Sequence, residues 1–297
     1  MTTLAIRIAY NRLMTFGMSR VIIFGLLFLA AMEAVPAADN RATWTGKPLD
    51  IAVRPKGFGK ASSADIRAVV QAAAGELWRY CPTTQLAAID VYHRADHPQT
   101  DFETVSGGRI AIGLAAQDTH WAQYSFQFAH EFCHALANYS NNARPPVRCP
   151  RHANLWLEES LCETASLFAL RAMGRSWQTD PPHPAWWEYA VWLNSYAKER
   201  LALARNRPPP GMPFSIWFHE NQSFLRRNPT ERSRNTIIAT HLLPIFEAEP
   251  RGWEALAFLN SASINPKSSL ARHLAQWRSR CPQRLRPFVT KVEAVFL

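Results

Sequence analysis

Residues 121–139 read WAQYSFQFAHEFCHALANY, and this stretch decides how the rest of the chain is interpreted. Its apolar residues recur with helical spacing, which predicts one helix over the whole stretch. His130 and His134 are four residues apart and therefore lie about 40° apart around the helix axis. Both imidazoles can then reach one metal ion, and Glu131 lies beside them, where it can hydrogen-bond a water at the metal.

A zinc site of this kind needs a third protein donor and one open position for water. The next predicted helix, 154–173, ends at Gly174 and has Glu159 and Glu163 on one face, because they are four residues apart. Glu159 could bind the metal while Glu163 hydrogen-bonds a ligand imidazole. The alternative is an ordinary acidic first turn, stabilised by the helix dipole. Glu158 fits that alternative, because it is turned about 100° from Glu159. We expect it to be solvated and to face away from the metal.

These residues resemble those of the gluzincin metallopeptidases, the zinc enzymes to which thermolysin and several aminopeptidases belong. That family has His-Glu-x-x-His on one helix and a glutamate ligand on the next, often within Trp-Leu-x-Glu-Gly. Residues 156–160 here are Trp-Leu-Glu-Glu-Ser, and the resemblance covers mainly 109–174. The ligands that it implies for one zinc ion are His130, His134 and Glu159. It further implies that Glu131 is the general base and that Glu163 contacts a histidine that binds the zinc, as an acidic residue does in the thermolysin branch.

Some features of the sequence differ from the family pattern. Ser160 replaces the usual Gly, and a Pro-rich loop lengthens the interval between His134 and Glu159. The aminopeptidase signature Gly-x-Met-Glu-Asn is absent. The metzincin pattern fits worse, since the Gly and His that it requires after the second histidine are Ala137 and Ser140 here. Asp180 is an alternative third ligand, but its Pro-rich surroundings favour a loop cap.

Peptide hydrolysis also requires a donor for the oxyanion of the tetrahedral intermediate. The resemblance implies a Tyr or His on the helices that follow the third ligand. The candidates are Tyr189, Tyr196, His219 and His241. His219, in the segment WFHEN, is the most suggestive of them, although a surface histidine is an equally good interpretation.

The pattern along the whole chain predicts an α+β fold. Alternating apolar residues predict strands at 49–53, 88–92 and 109–114. After Gly174 only helices and loops are predicted. We therefore expect one catalytic domain, 38–297, with a small mixed β-sheet and helix lobe (38–140), a mostly helical lobe (141–297) and a cleft between them. The resemblance implies a zincin-like architecture, with 109–114 as an edge strand along which a peptide can pair.

Residues 1–37 are predicted to be a secretory signal peptide. Three Arg residues precede an unbroken apolar run, 21–31, and small residues follow it, with cleavage after Ala37 or Ala38. The run is shorter than the roughly 20 apolar residues of a membrane-spanning helix, although an uncleaved anchor is an alternative. The mature protein would be periplasmic or secreted. Its five Cys would then leave at least one thiol unpaired or bonded outside the chain.

The composition describes a basic globular protein. The 33 Lys and Arg against 23 Asp and Glu give a net charge of +10, and 47% of the residues are hydrophobic, which excludes a disordered chain. Basic clusters occur at 226–234 and 278–286. We interpret them as solvated faces, with weak association with an anionic membrane or envelope surface as the alternative. No nucleic-acid partner is expected.

Two functions fit these patterns. The first is an exported zinc peptidase that hydrolyses a peptide or protein substrate with a metal-activated water and Glu131 as general base. The second is a non-catalytic zincin-fold module that binds peptide or an anionic envelope polymer. The presence of Glu131 favours the enzyme, because a binding module does not need that carboxylate.

Overall fold

The computed structural model describes residues 48–101, 108–140, 152–260 and 267–297. The predicted signal peptide and the Pro-rich loop that contains Cys149 lie outside these residues. The stretch Thr43–Leu297 forms one compact unit. Within the described ranges, no helix combines the length and the apolar character needed to cross a membrane.

Four short strands form one mixed sheet. They are β1 (Ile51–Val53), β2 (Ile89–His93), β3 (Gln99–Thr100) and β4 (Ile110–Leu114). The order across the sheet is β1-β2-β4-β3, and β3 is the antiparallel strand, with Thr100 opposite Ile112. The expectation that 109–114 forms a sheet edge is therefore wrong. The short β3 pairs with β4 at Ile112 and Gly113, so that edge of the sheet belongs to β3, and all five residues of β4 are buried.

Helices make up most of the remaining structure. The α-helices are α1 (Ser63–Trp78), α2 (Trp121–Tyr139), α3 (Leu155–Ser176), α4 (Ala190–Ala202), α5 (Phe214–Arg227), α6 (Arg232–Ala248), α7 (Leu270–Arg280) and α8 (Arg286–Glu293). Shorter 3₁₀ segments are Pro184–Tyr189, Ala204–Asn206, Pro250–Phe258 and Gln283–Leu285. The α+β fold class with a small mixed sheet is thus confirmed, and α2 has the bounds that the sequence predicts.

The second long helix continues beyond the predicted end at Gly174. α3 runs through this residue to Ser176, because Gly174 is a packing position and not a cap. The side-chain amide of Asn194 in α4 donates to its carbonyl oxygen at 3.1 Å. A Cβ atom on Gly174 would lie 2.5 Å from the same side chain. The glycine therefore allows α4 to approach α3 closely.

The position of α2 is fixed from two sides. It packs against α1 and α3, and the ring of Phe132 contacts that of Trp78 in α1 with centroids 6.4 Å apart. Toward the sheet, Oε1 of Gln127 accepts hydrogen bonds from the backbone N–H groups of Ala115 and Ala116, at 2.9 and 3.0 Å. The end of β4 is thereby fixed against the polar face of α2.

Candidate metal centre

A cavity of about 730 Å³ contains most of the predicted site. Its titratable lining residues from α2 and α3 are His130, Glu131, His134, Glu158, Glu159 and Glu163. The two histidine rings are one turn apart on α2, with centroids 5.1 Å apart, and both are buried. The structure therefore brings the candidate residues of the two helices to one place.

Glu159 faces both imidazoles. Its Oε2 atom is 3.4 Å from Nε2 of His130 and 3.8 Å from Nε2 of His134. Zinc bonds of about 2.0–2.2 Å to nitrogen and oxygen put tetrahedral donors roughly 3.4 Å apart. Each imidazole nitrogen thus lies at about the separation of zinc donors from Glu159, which borders the cavity from which a fourth ligand can enter. This donor set fits the metal that the sequence implies.

Cys162 is a further possible donor that the sequence interpretation did not consider. One ligand atom from each of His130, His134 and Cys162 lies within 4.8 Å of the others. Cys162 is fully buried, however, and does not line the cavity. Burial also raises the pKa of its thiol well above the usual value. Of these two candidate donors, only Glu159 faces the cavity, where a further ligand can enter.

Glu158 contacts the other side of the His134 ring. Its Oε1 atom accepts a hydrogen bond from Nδ1 of His134 at 2.7 Å. The side-chain amides of Asn138 and Asn260 also donate to this carboxylate, each at 2.7 Å. The expectation that Glu158 is solvated and turned away is therefore wrong. The first turn of α3 packs against α2 and buries the residue, which orients His134 through the ring nitrogen that does not face Glu159.

The charges of this cluster stabilise one another. Burial by itself lowers the pKa of His134, but the carboxylates of Glu159 and Glu158 outweigh it and raise that pKa well above its usual value. Burial likewise raises the pKa of each carboxyl group, and His134 nearby outweighs it and lowers both pKa values. Without metal, these shifts favour ionised carboxylates at Glu158 and Glu159 and a protonated imidazole at His134. A metal ion would have to displace that proton.

Glu163 does not make the hydrogen bond that the sequence predicts. Its Oε2 atom is 3.7 Å from Nδ1 of His130, which is too long for a direct hydrogen bond. The other oxygen, Oε1, accepts from Arg200 at 3.1 Å and from the hydroxyl of Thr236 at 2.8 Å. Within the described residues, both Oε2 of Glu163 and Nδ1 of His130 are buried without a hydrogen-bond partner. Glu163 lies behind His130, close enough to attract it electrostatically.

Glu131 is oriented by a residue from the sheet. The hydroxyl of Thr100 in β3 lies 3.0 Å from Oε2 of Glu131 and 2.8 Å from its backbone oxygen, so it can donate to either. Both residues line the cavity. Sequence analysis missed Thr100 because a two-residue strand has no detectable alternation. The contact holds the carboxylate of the candidate base beside the two histidines.

The candidate oxyanion donors do not reach the cavity. His219 is exposed on α5 and is not among the lining residues, so the structure does not support its role. The hydroxyl of Tyr189 accepts from the backbone of Ala122 at 3.3 Å, and the ring of His241 packs on Phe214 with centroids 3.9 Å apart. Tyr196 does not line the cavity either. The polar lining residues outside the ligand cluster include His97, Gln127 and Arg232.

Comparisons with protein-family models, curated proteins and solved structures find no match to this chain. A functional interpretation therefore depends on the residues and the geometry of the cavity.

Proposed function

We propose that this protein is an exported zinc peptidase with a zincin-like catalytic site of the gluzincin type. The observation that carries the proposal is the convergence of Nε2 of His130 and Nε2 of His134 on one oxygen of Glu159. This group borders a cavity that also contains the carboxylate of Glu131. A zinc ion bound there would polarise the scissile carbonyl and lower the pKa of a water molecule.

The remaining chemistry depends on the protein's own side chains. Glu131 would take a proton from the attacking water and pass it to the leaving amine, while Thr100 holds its carboxylate in position. An extended peptide would pair with β3, because that strand forms the sheet edge and both of its residues line the cavity. This replaces residues 109–114 as the pairing strand.

The decisive experiment measures metal content and peptide cleavage on the same purified preparations. We expect one zinc per chain in the wild type, and loss of most of it in His134→Ala. Glu131→Gln should retain zinc and lose about 10²–10⁴-fold in turnover, because the amide cannot accept the proton. Glu220→Gln, which removes an exposed carboxylate on α5, is the matched control and should behave as the wild type.

The outcomes separate the two functions. Full zinc retention by His134→Ala contradicts the metal site. Zinc binding without cleavage by the wild type indicates a binding module. Normal turnover in Glu131→Gln assigns the base to another residue.

A further inference from the structure

Arg232, the first residue of α6, is the one Arg or Lys among the described residues that line the cavity. About half of its side chain is exposed, at 47%. It shares this wall with Thr230 and Asn235. From the sequence, we interpret the basic cluster 226–234, which includes Arg232, as a solvated face. In the structure, Arg232 is the member of that cluster that lines the cavity.

The carboxylate beside Arg232 is already neutralised by another cation. Arg200 donates to Oε1 of Glu163 at 3.1 Å, whereas Nε of Arg232 lies 4.0 Å from Oε2, beyond hydrogen-bond distance. Arg200 and Thr236 therefore bind Oε1 of Glu163, and Arg232 adds only a long ion pair to Oε2. Arg234, two residues further, is different: its guanidinium donates to Asn221 at 2.8 Å and pairs with Glu231 at 3.3 Å.

The guanidinium of Arg232 lies 5.9 Å from the centroid of the Phe126 ring, and within the described part of the chain its terminal nitrogens make no hydrogen bond, so they can bind a ligand in the cavity. A guanidinium binds a carboxylate through two parallel hydrogen bonds, a geometry that a lysine cannot reproduce. Oε2 of Glu163 lies near both Nε of Arg232 and Nδ1 of His130. Arg232 is therefore separated from a metal-facing ring by a single carboxylate. Arg232 also lines the same cavity as His130, His134 and Glu159, and an extended peptide in that cavity advances about 3.5 Å per residue.

We propose that Arg232 binds the C-terminal carboxylate of the substrate, and that the enzyme removes one or two residues from the C-terminal end of a peptide. This inference rests on the proposed peptidase function and adds a substrate class to it. An Asp side chain or a phosphoryl group presents similar anionic oxygens, so the test must distinguish these sources.

The test compares one peptide as the free acid and as the C-terminal amide. We expect the wild type to cleave the acid with a KM about 10–100-fold lower than that of the amide, since hydrogen bonds to charged groups are worth that much. Arg232→Gln should raise KM for the acid and abolish the difference, with kcat and the amide little changed. Arg226→Gln removes an exposed charge of the same cluster and should have no effect. Mass spectrometry should find one or two residues released.

A binding measurement keeps the inference independent of turnover. In the Glu131→Gln background, the free acid should bind more tightly than the amide, and adding Arg232→Gln should remove that preference. Equal binding of acid and amide overturns the proposal, even if the protein is a peptidase. The proposal is also overturned if an amidated peptide with an internal Asp or phosphoserine binds more tightly than the free acid. Absence of cleavage together with an Arg232-dependent preference for the acid would contradict the peptidase function while retaining this binding site.

Discussion

Replacing Glu158 by Gln tests the contact at the site that sequence reasoning did not anticipate. The carboxylate is buried and accepts hydrogen bonds from His134, Asn138 and Asn260, each at 2.7 Å. Gln has nearly the same shape, but one of its terminal groups is a donor and must face one of these three donors. The variant therefore preserves the packing while it removes the charge and at least one hydrogen bond.

The expected loss of zinc affinity follows from the effect of Glu158 on His134. The carboxylate holds a proton on Nδ1, so Nε2, on the side of Glu159, is the nitrogen that would bind the metal. Loss of such a partner typically costs about 10–100-fold in metal affinity, or about 1.4–2.7 kcal/mol. We expect Glu158→Gln to lose zinc affinity by this factor. Glu159→Gln removes a donor itself and should lose more.

A competition titration with a chromogenic chelator at neutral pH measures these affinities, and Glu220→Gln is the control. Nuclear magnetic resonance measures the hydrogen bond at Nδ1 of His134 directly, and a change in packing alone would not alter this signal. The Nδ1–H signal of His134 should be protected in the zinc-loaded wild type and should lose that protection in Glu158→Gln. An unchanged zinc affinity refutes the positioning role. A greater loss for Glu158→Gln than for Glu159→Gln would show that Glu158 is the ligand and that α3 is rotated.

Three further predictions concern Cys162, Thr100 and His273. Cys162→Ser should keep its zinc by elemental analysis, whereas Glu159→Gln should lose most of it; the reverse result would make Cys162 the third ligand. Thr100→Val should keep zinc and lower kcat about fivefold, because one hydrogen bond of about 1 kcal/mol no longer orients Glu131; an unchanged kcat contradicts this role. Burial, with a smaller effect of His152, lowers the pKa of His273 to about 4, so only the unfolded chain takes up this proton as the pH falls below about 6.5. The free energy of unfolding should therefore decrease by up to about 3 kcal/mol between pH 6.5 and 4. Urea titrations of His273→Gln should show a weaker dependence of this free energy on pH. An equal dependence in the variant and the wild type would exclude His273 as the cause.

Local spacing predicted the parts of the structure that depend on one segment. The alternation of β1, β2 and β4 and the helical period of α2 are properties of consecutive residues, and the structure has these elements where the sequence indicates them. The i and i+4 rule also identified which residues of α2 share a face. Such rules act within a few turns of a helix, so they are reliable where the contact partners are close in sequence.

The remaining contacts depend on how distant segments pack. Helical spacing places Glu158 about 100° from Glu159, but it does not say which of them faces the neighbouring helix. The structure turns α3 so that both reach α2, on opposite sides of the His134 ring. Thr100 and Asn260 come from a two-residue strand and from the segment after Pro250–Phe258, and neither belongs to a pattern that spacing could detect.

The electrostatic balance of the cluster explains why a dication suits it better than a proton. Glu158 and Glu159 have lowered pKa values, so they are ionised together at neutral pH, with a single proton on His134 between them. The charges of these three residues then sum to −1, and the nearby carboxylate of Glu131 also acts on His134. Exchange of the proton for Zn²⁺ would supply one further positive charge and neutralise the pair, and it would leave Nδ1 of His134 hydrogen-bonded to Glu158. Glu158 therefore contributes negative charge that attracts a cation and also orients His134, so a substitution at Glu158 should affect both together.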